Sequence, residues 1–104
     1  MAKLRDLNTA RRQIDAIDSE LVESLARRLK VARELANLKR EAGLKIRQPD
    51  RERAVLEAVA AKAKRLGVSP RLVRSLFRQI IDESVREEEE TGKKGRGRRK
   101  TKTP

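Results

Sequence analysis

Two cations fall where a hydrophobic core would be expected. From Leu4 to Ala42 the chain has no Pro or Gly, and apolar residues recur at helical spacing through Leu7, Ile14, Ile17, Leu21, Leu25, Ala32, Leu35 and Leu38. At about 100° per residue, Arg28 and Lys39 come within about 20° of each other, on the face that carries Leu21, Leu25, Ala32 and Leu35. An unpaired buried charge is costly. The plain account is that both heads reach water or pair with acids such as Glu34 or Glu52. The chemical account is a positively charged pocket for a small ligand. Arg11 lies on the side of Leu7 and Ile14, in line with Asp18, its ordinary surface partner. Arg11 and Arg28 are separated by about 26 Å along one helix, too far to grip the same small ligand from one chain. In an antiparallel or crossed pair of chains, Arg11 of one would approach Arg28 and Lys39 of the other, giving two equivalent cationic pockets.

Further along, Asp50, Arg51 and Glu52 occupy a first helical turn, where acids favour the helix dipole. Ser84 and Glu88 are four apart and project from one helix face, although Glu88 also belongs to the acidic run Glu87 to Glu90. The chain has no Cys and no His, which excludes thiol nucleophiles, disulfides, imidazole bases and the usual zinc ligand sets. Chemistry here must come from cations, carboxylates and hydroxyls.

The elements that position these groups read as all-α. A helix from Leu4 to Ala42 would run roughly 58 Å, against a radius of gyration of about 13 Å for a compact 100-residue domain. Its own chain cannot cover it, so a second copy in a two-fold dimer is expected. Asn8 or Thr9 offers an alternative cap for a later start, and residues 1 to 3 are expected to fray. Gly43 is a left-handed cap, Leu44 to Gln48 a connection, and Pro49 with Asp50 opens a second helix that Gly67 stops. Ser69 followed by Pro70 starts a third helix, through Leu72, Val73, Leu76, Phe77, Ile80 and Ile81 to about Glu90.

The 104 residues, 42% of them charged and 1% aromatic, suit one small domain of long helices over residues 1–90. Of the net charge of +12, seven positive charges fall in TGKKGRGRRKTKTP, residues 91–104. That segment has no apolar side chain to offset ordering, so a disordered basic tail is expected, solubilising or weakly attracted to RNA and other polyanions. No stretch approaches the roughly 20 apolar residues of a membrane span, and the start MAKLRDLN lacks a secretory core; a cytoplasmic protein without membrane contact is expected.

Taken in order, Arg11-x-x-Ile14-Asp15-x-x-Asp18, Leu25-Ala26-x-Arg28, Lys39, Pro49-Asp50-Arg51-Glu52 and Phe77-x-x-Ile80-Ile81-x-x-Ser84 resemble the all-helical class of chorismate mutase. The resemblance covers about residues 5 to 88. It implies an intertwined homodimer of three-helix chains, one helix very long, that converts chorismate to prephenate by a Claisen rearrangement in phenylalanine and tyrosine biosynthesis. It implies no cofactor and no metal, since a pericyclic step needs only a dianion held in a chair-like conformation and stabilisation of charge on the breaking ether oxygen. By the same resemblance, Arg28 and Arg11 of the opposite subunit grip the two carboxylates, because guanidinium matches a carboxylate as a planar fork. Lys39 reaches the ether oxygen and a carboxylate, Glu52 accepts the ring hydroxyl, Ser84 hydrogen-bonds a carboxylate, and Arg51 shapes the pocket. The catalytic set is Arg28, Lys39, Glu52 and Glu88, with Arg11, Gln48, Arg51 and Ser84 binding substrate.

Two positions depart from the family's best-known form. Gln48 replaces a frequent Asp, at a place where the backbone N–H meets the ring hydroxyl. Glu88 replaces a Gln whose amide donates to the ether oxygen; an ionised carboxylate cannot donate, so Glu88 would have to carry a proton in the complex. Three other readings compete. An isochorismate pyruvate lyase of the same fold shares the cations, but Glu52 and Ser84 favour the mutase. A basic nucleic-acid-binding helical protein would explain the tail but not the cations on the apolar stripe, and one aromatic residue gives little base stacking. A mutase-like domain without catalysis is a third, and nothing in the cation set requires it.

Overall fold

The structure, a computed structural model, describes residues 6–94. Leu4, residues 1 to 3, which were expected to fray, and the basic segment 95–104 lie outside the described residues. Three helices follow in order, α1 (Leu7–Glu41), α2 (Pro49–Arg65) and α3 (Pro70–Lys94), with no strand among the described residues. The all-α, three-helix reading holds. α3 runs four residues past Glu90, into the segment expected to be a disordered tail.

Each helix end has a local cause. α1 opens on Asp6 rather than on Asn8 or Thr9: the Thr9 amide donates to Asp6 Oδ1 at 2.8 Å. That bond, followed by the Thr9 hydroxyl, holds the Asp6 carboxyl below its ordinary pKa. α1 closes at Gly43, with φ +72°, where the Leu44 amide reaches back to the Lys39 carbonyl at 2.8 Å and the Gly43 amide to Arg40 at 3.1 Å. Gly67, with φ +76°, closes α2 in the same way, the Val68 amide bonding the Ala63 carbonyl at 2.8 Å. Ser69 caps α3 through the Leu72 amide at 3.2 Å, with Pro70 next to it as the sequence predicts.

The chain divides into two compact units, breaking between Val31 and Ala32 within α1. In the first unit the α1 residues up to Val31 form a single helical stretch with no buried residue. Leu7, Ile14, Ile17, Leu21 and Val22 are exposed, Leu21 to 64%. In the second unit α2 packs against α3. The last turns of α1 are tied to α3 by two ion pairs, Arg33 to Glu87 and Lys39 to Glu88, each at 2.8 Å. The buried apolar residues are Ala32, Ala36, Ala60, Ala63, Ile81 and Val85. Four of these six are alanines, so the buried layer is thin, and α2 and α3 approach closely. Polar and charged residues complete it: Glu52, Ser84 and Glu88 are buried alongside.

Candidate active site

The site builds from the C-terminal turn of α1, the connection that follows it, the first turn of α2 and the middle of α3, all within the second unit. Lys39 lies in the last turn of α1, where its carbonyl is used by the Gly43 turn. Its ammonium donates both to the Ile46 carbonyl and to Glu88 Oε1, the latter at 2.8 Å. Lys39 keeps 13% of its side chain exposed and Glu88 only 5%. The partner is neither Glu34 nor Glu52. Ile81, Ser84, Val85 and Glu88 recur at helical spacing on the buried side of α3, so of the acids Glu87 to Glu90 only Glu88 is buried. Ser84 Oγ donates to the Ile80 carbonyl at 2.9 Å, one turn earlier. An open cleft of about 580 Å³ is lined by Arg40, Ile46, Glu88, Glu89 and Gly92.

Glu52, in the first turn of α2, is 9% exposed and accepts two charged hydrogen bonds on one oxygen. Arg47 Nη1 and Arg78 Nη2 each reach its Oε1 at 2.9 Å. Arg47 Nη2 also donates to Asp82 at 3.0 Å, and Arg78 lies 3.5 Å from the same carboxylate. The Asp82 hydrogen bond, then the nearby charge of Glu52, raises the Arg47 pKa above its ordinary value, so this guanidinium stays charged. Arg78 Nε is buried without a hydrogen-bond partner. The two clusters meet along the chain, because Lys39 holds the carbonyl of Ile46, the residue before Arg47.

Lys39 and Glu88 are therefore brought together, and the buried Ser84 lies one turn from Glu88 on α3. Gln48 precedes α2; its side-chain amide donates to the Lys45 carbonyl at 2.8 Å and its carbonyl accepts the Glu52 amide at 2.9 Å. Arg51 is exposed on the first turn of α2. Arg11 and Arg28 belong to the first unit, Arg11 exposed and Arg28 half-buried. Sequence reasoning missed Arg47 and Arg78. The available signal was the position of Arg47 just before Pro49-Asp50-Arg51-Glu52, and of Arg78 four residues before Asp82 on α3.

This inventory contains ammonium and guanidinium groups, carboxylates held as acceptors and a hydroxyl. It suits holding an anion in a fixed pose and stabilising charge, with no nucleophile–base pair. A sequence profile for chorismate mutase type II matches residues 10–89. The chain belongs to the chorismate mutase type II family. Among curated relatives, the T-protein of Enterobacter agglomerans is 36% identical over 87 residues, taking in 84% of this chain and 23% of that protein. The T-protein of Haemophilus influenzae is 35% identical over 92 residues, 88% of this chain and 24% of its own length. A chorismate mutase of Methanocaldococcus jannaschii is 25% identical over 79 residues, 76% of this chain and 80% of its own. This mutase-family chain spans about a quarter of the length of the T-proteins it matches. No helix among the described residues is long and apolar enough to cross a membrane.

Proposed function

We propose that this chain is a chorismate mutase that rearranges chorismate to prephenate in the route to phenylalanine and tyrosine. The observation that carries the reading is the buried Lys39–Glu88 pair beside the doubly held Glu52, in a chain whose residues 10–89 match the family. In the rearrangement one C–C bond forms as the ether C–O bond breaks, with no proton transferred and no covalent enzyme intermediate. Positioning and electrostatics are the available sources of rate. Lys39 supplies positive charge to the ether oxygen as it gains electron density. Glu52 accepts the ring hydroxyl, the Gln48 backbone N–H meets the same hydroxyl, Ser84 bonds a carboxylate, and Arg51 borders the pocket. Arg28 and Arg11 grip the carboxylates as bidentate forks.

Glu88 has the most constrained role. In the free protein its Oε1 accepts from Lys39, and a group that only accepts cannot help an ether oxygen. In the complex, Lys39 turns to the substrate and a protonated Glu88 donates.

The same proposal includes a cytoplasmic homodimer in which Arg11 of one subunit completes the site of the other, with residues 1–90 as the catalytic domain and the basic segment beyond making at most weak polyanion contacts. The exposed stripe Leu7, Ile14, Ile17 and Leu21 supports it, because leaving each such side chain in water forgoes about 1.5–3 kcal/mol. Incubation with chorismate and with isochorismate tests the function. Prephenate from chorismate is expected; pyruvate from isochorismate without prephenate would make the chain a lyase, and neither product would refute both.

A further inference from the structure

A carboxylate is an awkward neighbour for a dicarboxylate substrate. Glu52 at the mouth of α2 would repel the dianion it is meant to orient unless its charge were already matched. The structure supplies the match from outside the expected catalytic set. Arg47, on the connection, and Arg78, on α3, both donate to Glu52 Oε1 at 2.9 Å, and Oε2 receives neither bond. Asp82 holds Arg47 from behind at 3.0 Å. Two acids and two arginines make a formally neutral cluster that joins three segments of chain. Arg78 keeps this place although its Nε is buried without a partner.

We infer that Arg47 and Arg78 are positioning residues for the mutase reaction: they fix Glu52 as an ionised acceptor, turn its second oxygen to the substrate hydroxyl, and cancel its repulsion of the substrate. This rests on the chorismate mutase reading. Neither arginine touches the reacting atoms. Their effect passes through Glu52 and falls on binding, because a hydroxyl contact made equally before and during bond rearrangement alters KM more than kcat.

The test is a double-mutant cycle on the full-length chain, assayed for prephenate formation in high salt so that long-range attraction is screened. Arg78→Gln and Arg47→Gln are each expected to raise KM about tenfold, a typical scale for losing a charged hydrogen bond, with kcat changed less than about threefold. Arg78→Lys, which keeps a charge but not the fork, should recover part of the loss. In a Glu52→Gln background either arginine substitution should change KM by less than about twofold. Losses that add fully in that background, or that fall on kcat with KM unchanged, overturn the inference. Arg47 is carried as a second site in case Arg78→Gln does not fold, as judged by helical circular dichroism. A wild type that forms no prephenate overturns the underlying reading; an active wild type with additive losses overturns this inference alone.

Discussion

The two halves of α1 share a helical period and meet opposite surroundings. Up to Val31 the helix carries Leu, Ile and Val at regular spacing and buries none of them; from Ala32 onward it carries Ala at the inward positions, and Ala36 is fully buried. Periodicity tells which side of a helix is apolar, but what lies against that side decides burial. The first half offers large side chains with no cover from the described chain. The second meets α3 closely enough for Arg33 and Lys39 to reach its glutamates.

Changes placed on either side of this boundary should break in different ways. The largest effect belongs to Lys39→Ala, which strands a buried carboxylate at Glu88. Loss of turnover should be accompanied by destabilisation of about 3–5 kcal/mol in denaturant unfolding. Arg28→Ala, in the first half, should lower kcat/KM by about 10²–10³ while circular dichroism and oligomeric state stay unchanged; undiminished turnover would remove Arg28 from the site. Glu88 sharpens the contrast through its own substitution. If Glu88 is the donor, Glu88→Gln, whose amide donates without an added proton, should keep at least wild-type turnover. Lost turnover in a folded Glu88→Gln denies Glu88 the donor role.

Leu21→Asp attacks the uncovered stripe. If a second copy covers it, light scattering should show a monomer, and thermal unfolding, concentration-dependent in the wild type, should become independent of concentration. An unchanged dimer would mean that this stripe is not the interface. The smallest effects distinguish two glycines. Gly43→Ala places a side chain at φ +72° and should cost about 1–2 kcal/mol. Gly92→Ala sets a Cβ 2.8 Å from the movable Arg40 guanidinium and should stay within about 0.5 kcal/mol.

What the sequence disclosed follows the same division between local and distant causes. Gly43, Pro49, Gly67 and Ser69-Pro70 marked helix ends correctly because capping involves only a few adjacent residues. That Ser84 and Glu88 share one face of α3 was legible for an equally local reason, their four-residue spacing, but that this face is the buried one was not. The mates of Glu52 were illegible. Arg78 is 26 residues away and Arg47 is fixed in turn by Asp82, 35 residues further on. Among so many arginines, no spacing rule singles out those two. Lys39 was read as site-facing, but its choice of Glu88 depends on how α1 meets α3. Asp6 was passed over in favour of Asn8 and Thr9 because all three, within four positions, can cap a helix.

The alanine layer sets a limit on redesign. Among the described residues no large side chain is fully buried, and Ile81 and Val85 are the larger apolar ones in the buried layer, so an engineer seeking room for a bulkier substrate has little in the interior to trim. Any enlargement there would lever the Lys39 turn away from α3 before it altered selectivity. Retooling this scaffold therefore has to proceed at its rim, through the polar residues around Ile46 and Glu89.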